Sequence, residues 1–189
     1  EVLNALIVRD IMKKYHLKDE ILLQELIDFL MDNIGNVTSI RSITDTLITG
    51  KKKVDHKTVG KYIDALCKAF AFYRIRRYDI KGKRYLHSED KYYVVDHSFR
   101  FARLGTRSMD YGRVLENMIA IELLRRGYEV YVGVLYQKEI DFVAISEGEK
   151  IYIQVANDIS SPETFGREID PLLKIRDAYP KMLIARIIS

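Results

Sequence analysis

Cysteine is almost missing from this sequence, in which Cys67 is the single one among 189 residues. One cysteine excludes an intrachain disulfide and a zinc site built on several cysteines. Apolar runs are also short, and none approaches the roughly 20 residues that a membrane-spanning helix needs. The first residues, Glu1 to Asn4, include neither a basic signal-peptide region nor an initiator methionine. We therefore expect a cytoplasmic fragment of a longer protein, with no membrane contact.

The charge of the chain is small in total and uneven in distribution. With 48% hydrophobic and 31% charged residues, the chain is expected to be globular, with one large domain or two small ones. The net charge is +4, but residues 51–84 hold twelve basic and three acidic side chains, so this segment carries +9 and the remainder −5. Such asymmetry indicates a polyanionic partner, with an ordinary solvated charged surface as the alternative.

Helical periodicity dominates the first seventy residues, and strand-like composition follows it. A winged helix has this order of three helices and a β-hairpin, so residues 1–104 are predicted to form a winged-helix domain preceded by a short helix. Residues 97–109 are polar and are interpreted as a connection between domains. The predicted elements are helices over 5–16, 20–32, 39–48 and 55–70, the last of them capped by Asp55, then strands over 71–78 and 84–95.

The second half predicts a mixed sheet flanked by helices over residues 105–189. A strand, a helix and a further strand imply a right-handed parallel crossover near the C-terminal end. Pro171 is expected to break the last helix. The fold class is therefore α+β or α/β. The predicted elements are a helix over 110–126 with Gly127 as its C-terminal glycine, strands over 128–135, 139–146 and 150–156, a helix starting at Ser161-Pro162 with Ser161 as its cap, and a buried strand over 182–188.

The basic segment supplies candidate DNA ligands on the third helix of the winged helix and on the hairpin. A recognition helix of this type enters the major groove, while the wing contacts the backbone or the minor groove. No side-chain pattern indicates base-specific readout, and a protein-docking role is the alternative. The candidates are Lys51, Lys52, Lys53, Lys57, Thr58, Lys61, Lys81, Lys83 and Arg84, and His56 and Tyr62 are placed on the same side of the helix.

Three polar residues interrupt otherwise apolar elements of the second half. Glu116 on a helix, Asp141 on one strand and Gln154 on the next follow the layout that holds Mg²⁺ for phosphodiester hydrolysis. Exposure on the alternate strand face is the structural alternative for Asp141. A lysine usually follows two residues after the third ligand, and Ala156 stands there instead.

Eight short segments of the sequence carry a resemblance to a known family. They are 58–63, 91–96, 112–117, 122–130, 139–142, 152–155, 167–168 and 179–181. Together they resemble the C-terminal region of a prokaryotic AAA-type ATPase family. The resemblance implies a winged helix followed by a restriction-endonuclease-like domain, with Glu116, Asp141 and Gln154 at the positions of the nuclease acids. It also implies a preceding ATPase domain as a partner, since no Gly-x-x-x-x-Gly-Lys-Ser/Thr loop occurs here.

The leading expectation for function is a non-enzymatic DNA-binding or DNA-tethering region of an ATPase. Its nuclease-like site would be vestigial, and no cofactor is expected in this fragment. One alternative is a Mg²⁺-dependent nuclease in which Lys138 or Lys150 replaces the missing lysine, with Glu116 and Asp141 as the metal ligands. The other alternative is a protein–protein interaction module.

Overall fold

The computed structural model of the chain describes residues 2–48, 54–105 and 110–186. Contacts divide the chain into two compact units. The first consists of residues 1–74 and 91–108, and the second of residues 75–90 and 109–189. None of the helices in the described ranges combines the length and apolarity that crossing a membrane requires.

The first unit is built mainly from helices, as the periodicity predicts. Asp19 caps the second helix by accepting a hydrogen bond from the Leu22 backbone N–H at 2.9 Å. Leu23, Leu26 and Ile63 are completely buried and form its core. The helices are α1 (Val2–Tyr15), α2 (Glu20–Asp32), α3 (Ile40–Ile48), α4 (His56–Lys68) and α5 (His97–Leu104), and strands β1 (Phe72–Asp79) and β2 (Arg84–Val94) follow α4.

The polar connection predicted over 97–109 is wrong for residues 97–104, which form α5. Asp96 caps this helix through the Ser98 backbone N–H at 2.7 Å. Buried Arg100 donates to the Met31 carbonyl oxygen, and Arg103 forms an ion pair with Asp28 on α2. Polar composition suggested a loop because the sequence cannot show that these arginines pack against another helix.

The second unit contains a six-stranded sheet flanked by helices, so the mixed α+β class is confirmed. The strand order is β2-β1-β3-β4-β5-β6, with β1 parallel to β3 and β5 parallel to β6. The two pairings of β4 are antiparallel. The elements are α6 (Tyr111–Arg125), β3 (Glu129–Leu135), β4 (Lys138–Ser146), β5 (Glu149–Ala156), α7 (Pro162–Leu173) and β6 (Lys181–Ala185).

The β1–β2 hairpin supplies two strands of this sheet. Tyr78 pairs with Gly133 in parallel register, and the Ile80 backbone N–H donates to the Val134 carbonyl oxygen at 2.9 Å. Residues 75–90 therefore belong to the second unit, although the sequence placed the whole hairpin in the first. A winged-helix pattern predicts the hairpin but says nothing of a strand that pairs with it from more than fifty residues away.

Alternate residues of β5 point toward different helices. Ile151 and Ile153 line a groove with Leu115 and Leu123 of α6. Tyr152 instead joins a core cluster with Val143, Leu172 and other residues on the α7 side. Because strand side chains alternate between faces, α6 and α7 cover opposite faces of the sheet.

Two expectations for the C-terminal part are wrong. Pro171 does not break α7, because it lies in the last turn, where it removes a single hydrogen bond before the helix ends at Leu173. The described part of the last strand, β6, is not buried, since every one of its residues is at least partly exposed. It is an edge strand of the sheet, paired with β5 on one side. Residues 187 and 188 of the predicted strand lie outside the described ranges.

Candidate functional site

Helix α4 presents two exposed lysines opposite a buried apolar side. Asp55 caps the helix, as predicted, and accepts from the Thr58 backbone N–H at 2.9 Å. This hydrogen bond, with a second from the Thr58 hydroxyl, lowers the pKa of Asp55. Lys57 and Lys61 are exposed, and neither forms an ion pair within the described part of the chain. Their spacing of four residues places them on one side of the helix.

Two other predicted ligands on α4 have structural partners instead. The Thr58 hydroxyl donates to Asp55 Oδ2 at 2.9 Å, so this side chain belongs to the helix cap. Tyr62 is only 4% exposed, and its hydroxyl oxygen accepts from the backbone N–H groups of Lys18 and Asp19 at 3.0 and 2.8 Å. The prediction that Tyr62 lies away from the apolar side is wrong. Its ring lies in the core because only its hydroxyl needs a polar partner.

The hairpin turn carries the remaining basic candidates. Lys81, Lys83 and Arg84 are exposed, as a nucleic-acid contact requires. Arg84 Nε lies 3.4 Å from Asp79 Oδ2, and the Lys81 ammonium lies 4.8 Å from the centroid of the Tyr136 ring. A backbone hydrogen bond from Gly82, followed by the Arg84 interaction, lowers the pKa of Asp79. The other predicted candidates, Lys51, Lys52 and Lys53, lie outside the described residues.

Part of the positive charge of segment 51–84 is neutralised inside the protein. Arg74 forms an ion pair with Asp64, and Arg77 forms one with Glu89. Both guanidinium groups are mostly buried, with side chains 21% exposed. Asp64 is already counted in the +9 of the segment, so of these two pairs only Arg77 with Glu89 lowers its net charge. Because Arg74 and Arg77 are both paired, Lys57 and Lys61 are the stronger candidates for binding a polyanion.

Asp141 and Gln154 come together where the β4–β5 ladder ends. The regular pairing extends to Phe142 opposite Ile153. One residue further, Asp141 Oδ2 accepts from the Val155 backbone N–H at 2.7 Å, and the Asp141 backbone N–H lies 3.4 Å from Gln154 Oε1. Asp141 is 9% exposed. Side-chain oxygens thus take the place of backbone carbonyls at the end of this ladder.

Glu168 on α7 joins these two residues and was not among the predicted site residues. Gln154 Nε2 donates to Glu168 Oε2 at 3.3 Å, and Arg167 Nη2 donates to Glu168 Oε1 at 3.0 Å. The sequence held two signals for it. Glu168 lies in segment 167–168 of the family resemblance, and it precedes the buried Leu172 by four residues, so it lies on the same side of its helix.

Glu116, the third predicted site residue, lies half-buried on α6. Helix α6 packs on the sheet face opposite α7, whereas Gln154 points toward Glu168 on α7. Asp141 and Gln154 are therefore brought together by the structure, and the participation of Glu116 stays a prediction.

A family model described as a domain of unknown function, DUF8612, matches residues 1–110, which is more than half of the chain. The chain belongs to the DUF8612 family. The match covers α1 to α5 and the hairpin, including every predicted DNA ligand. Asp141, Gln154 and Glu168 lie outside it.

Two curated relatives extend the similarity beyond the DUF8612 region. An uncharacterized protein of Haemophilus influenzae is 42% identical over 183 residues, covering 97% of this chain and 45% of the relative. The uncharacterized protein MJ1544 of Methanocaldococcus jannaschii is 26% identical over 164 residues, covering 85% of this chain and 36% of the relative. The chain thus spans less than half the length of these relatives. No solved structure matches it with significant similarity.

The polar residues beyond the DUF8612 region fit a magnesium ion poorly. Among the described residues, no group of three His, Cys, Asp or Glu side chains could hold a metal ion. Oxygens of Asp141 and Gln154 already accept backbone N–H groups. A hard cation prefers several convergent oxygen ligands, and here two oxygens are committed to the strand end.

Neither lysine proposed as a substitute for the missing one points to these residues. The Lys138 ammonium forms an ion pair with Asp170. The Lys150 ammonium donates to the Tyr78 hydroxyl oxygen at 2.9 Å. Lys150 also precedes Gln154 by four strand residues, or about 13 Å along the chain. The position two residues after Gln154 is the buried Ala156.

Proposed function

We propose that this chain is the DNA-binding C-terminal region of a longer AAA-type ATPase, and that its restriction-endonuclease-like half does not cleave DNA. The observation that carries the proposal is the pair of exposed lysines on α4, Lys57 and Lys61, which form no ion pair among the described residues and lie opposite a buried apolar side. Lysines of this kind bind phosphates and release counterions, which supplies most of the sequence-independent affinity for DNA. The greater length of the relatives leaves room for an ATPase domain.

A helix order of α3, α4 and then a hairpin supports the winged-helix interpretation, in which α4 is the recognition helix. Lys81, Lys83 and Arg84 of the hairpin turn are exposed on the second unit and are separate candidates for contacts to a nucleic-acid backbone. A DNA-binding role would place the protein in the cytoplasm, where a free cysteine such as Cys67 stays reduced.

The proposal is tested by measuring affinity for a duplex of mixed sequence over a series of salt concentrations. We expect the logarithm of the association constant to fall linearly with the logarithm of the salt concentration. The double variant Lys57→Ala, Lys61→Ala should reduce the magnitude of that slope by about 1.8, since each phosphate contact contributes about 0.9.

The matched control is the double variant Lys13→Ala, Lys18→Ala, which removes two exposed lysines from the same unit but not from α4. This control should leave the slope unchanged. Absence of binding at low salt, or a slope that is flat, would refute DNA binding and favour a protein partner. An equal reduction of the slope in both double variants would show that α4 is not the DNA contact.

The absence of cleavage is tested separately with supercoiled plasmid and Mg²⁺ or Mn²⁺. The committed oxygens of Asp141 and Gln154, and the pairing of Lys138 with Asp170 and of Lys150 with Tyr78, support binding without cleavage. We expect the plasmid to remain intact. Cleavage that disappears in an Asp141→Ala variant whose circular dichroism shows it to be folded would refute this part of the proposal and establish the nuclease.

A further inference from the structure

Three tyrosines from neighbouring strands lie together on the sheet of the second unit. They are Tyr85 on β2, Tyr78 on β1 and Tyr131 on β3, and they form what we name the tyrosine cluster. The ring centroids are 5.6 Å apart for Tyr78 and Tyr85, 6.1 Å for Tyr78 and Tyr131, and 5.0 Å for Tyr85 and Tyr131. The rings are tilted against one another, as aromatic pairs in proteins prefer.

The cluster passes from the core to the solvent. Tyr78 is 4% exposed and packs in the core with Leu172, whereas Tyr131 is half-buried. Tyr85 is 48% exposed. The principal packing partners of α7 are β4, β5 and β6, so this helix covers the other half of the same sheet face. A large aromatic ring therefore stays accessible where the helix does not reach.

Cations lie next to the cluster. The Lys150 ammonium donates to the Tyr78 hydroxyl oxygen at 2.9 Å and lies 5.0 Å from the centroid of that ring. Lys83 and Arg84 are exposed and directly precede Tyr85 in the chain, and the Arg84 side chain is 73% exposed. An acid is also present, because the Tyr131 hydroxyl donates to Glu129 Oε2 at 3.1 Å. Arg84 is also paired with Asp79, so the three cations face two carboxylates and the surroundings keep a small positive excess.

We infer that the tyrosine cluster binds single-stranded nucleic acid, with an unpaired base stacked on the Tyr85 ring and adjacent phosphates near Lys83 and Arg84. Aromatic side chains beside cations are the means by which proteins bind single strands, since the rings stack on bases and the cations contact the backbone. A duplex cannot use such a surface, because its base faces are stacked on one another. The inference deepens the proposed function but uses residues other than those of α4.

Single-stranded DNA and RNA share this chemistry, and the test includes both. The full chain is titrated with a dye-labelled 20-mer of deoxythymidine, the uridine 20-mer, and an abasic 20-mer that keeps the phosphates without the bases. The variants are Tyr85→Ala, which removes the ring, and Tyr85→Phe, which keeps a stacking ring. Tyr85 is half-exposed, so its truncation should leave the fold intact, which circular dichroism verifies.

We expect Tyr85→Ala to weaken binding of the deoxythymidine 20-mer, the uridine 20-mer or both by on the order of tenfold. Tyr85→Phe should restore this affinity, and neither variant should change binding of the abasic strand. Equal affinity of the wild-type and Tyr85→Ala proteins for both base-bearing strands would overturn the inference, as would an equal loss for the abasic strand.

The failure of this inference and of the proposed function are distinguishable. Duplex binding that depends on Lys57 and Lys61, together with single-strand binding insensitive to Tyr85, overturns the tyrosine cluster alone. Sensitivity of single-strand binding to Tyr85 without any duplex binding supports the cluster and refutes the role of α4.

Discussion

Gly133 on β3 is closely surrounded by buried side chains, and we predict that Gly133→Ala destabilises the fold. A Cβ at this position would lie 2.8 Å from Ile140 Cβ, 2.9 Å from Val143 Cγ2 and 3.0 Å from Ile80 Cδ1. All three neighbours are buried, at 0%, 0% and 8% exposure. Gly133 does not adopt a positive φ, so the cost comes from packing rather than from backbone strain.

The magnitude follows from the number of neighbours that must move. Adding a methyl group to a filled core usually costs about 1–3 kcal/mol. Since the added Cβ would meet three buried, branched side chains, and Ile140 at its backbone-attached Cβ, we expect the upper part of that range, about 2–3 kcal/mol. Gly133 also follows the register shift between β3 and β4, so the pairing of the two strands is already irregular next to this residue.

The assay is urea unfolding followed by circular dichroism, with Gly166→Ala as the matched control. Gly166 lies inside α7, is exposed, and has nothing within 4 Å of an added Cβ. Alanine there should stabilise the protein by about 0.5–1 kcal/mol, because glycine is the poorer helix former. Replacing glycine by alanine is thus expected to lower the free energy of unfolding at position 133 and to raise it at position 166. A neutral or stabilising Gly133→Ala would refute the packing argument.

Two further predictions concern side-chain hydrogen bonds in the second unit. Asp141→Ala leaves the Val155 N–H without its acceptor and should cost about 1–3 kcal/mol in urea unfolding, whereas Glu149→Ala at an exposed position should change little. Burial raises the pKa of Asp177, but hydrogen bonds from Tyr152 and Lys181 outweigh it and lower the pKa below the ordinary 3.8. A lowered pKa stabilises the fold above pH 3.8 and loses this effect as the pH falls through the folded value. The loss in free energy of unfolding caused by Tyr152→Phe should therefore become smaller below pH 3.8. A loss of the same size at every pH would contradict this prediction.

Local signals in the sequence predicted most elements correctly. Asp55 and Ser161 were identified as helix caps, and each accepts the expected backbone N–H in the structure. Gly127 has a φ of +83° immediately after α6, where a C-terminal glycine was expected. These features depend on residues within one helical turn, so composition and spacing are sufficient to find them.

Long-range contacts were not predictable in the same way. The pairing of β1 with β3 and the contact between Gln154 and Glu168 join separate elements, and neither has a local signature. The burial of Tyr62 on its helix could not be predicted for the same reason, because its hydroxyl oxygen accepts from backbone N–H groups 43 and 44 residues away. For the candidate site, the sequence predicted the pairing of Asp141 with Gln154 but not that their oxygens would be used to end a strand ladder.

The parallel pairing of β1 with β3 also has a consequence for synthesis of the chain. Tyr78 cannot pair with Gly133 until the 55 residues that follow Tyr78 up to Gly133 have been synthesised. At roughly 5–20 residues per second, the ribosome needs about 3–11 seconds to make that stretch. During this time the hairpin presents an unpaired edge, and such edges promote aggregation. The charges of Lys81, Lys83 and Arg84 at its turn would keep nascent chains apart until the sheet closes.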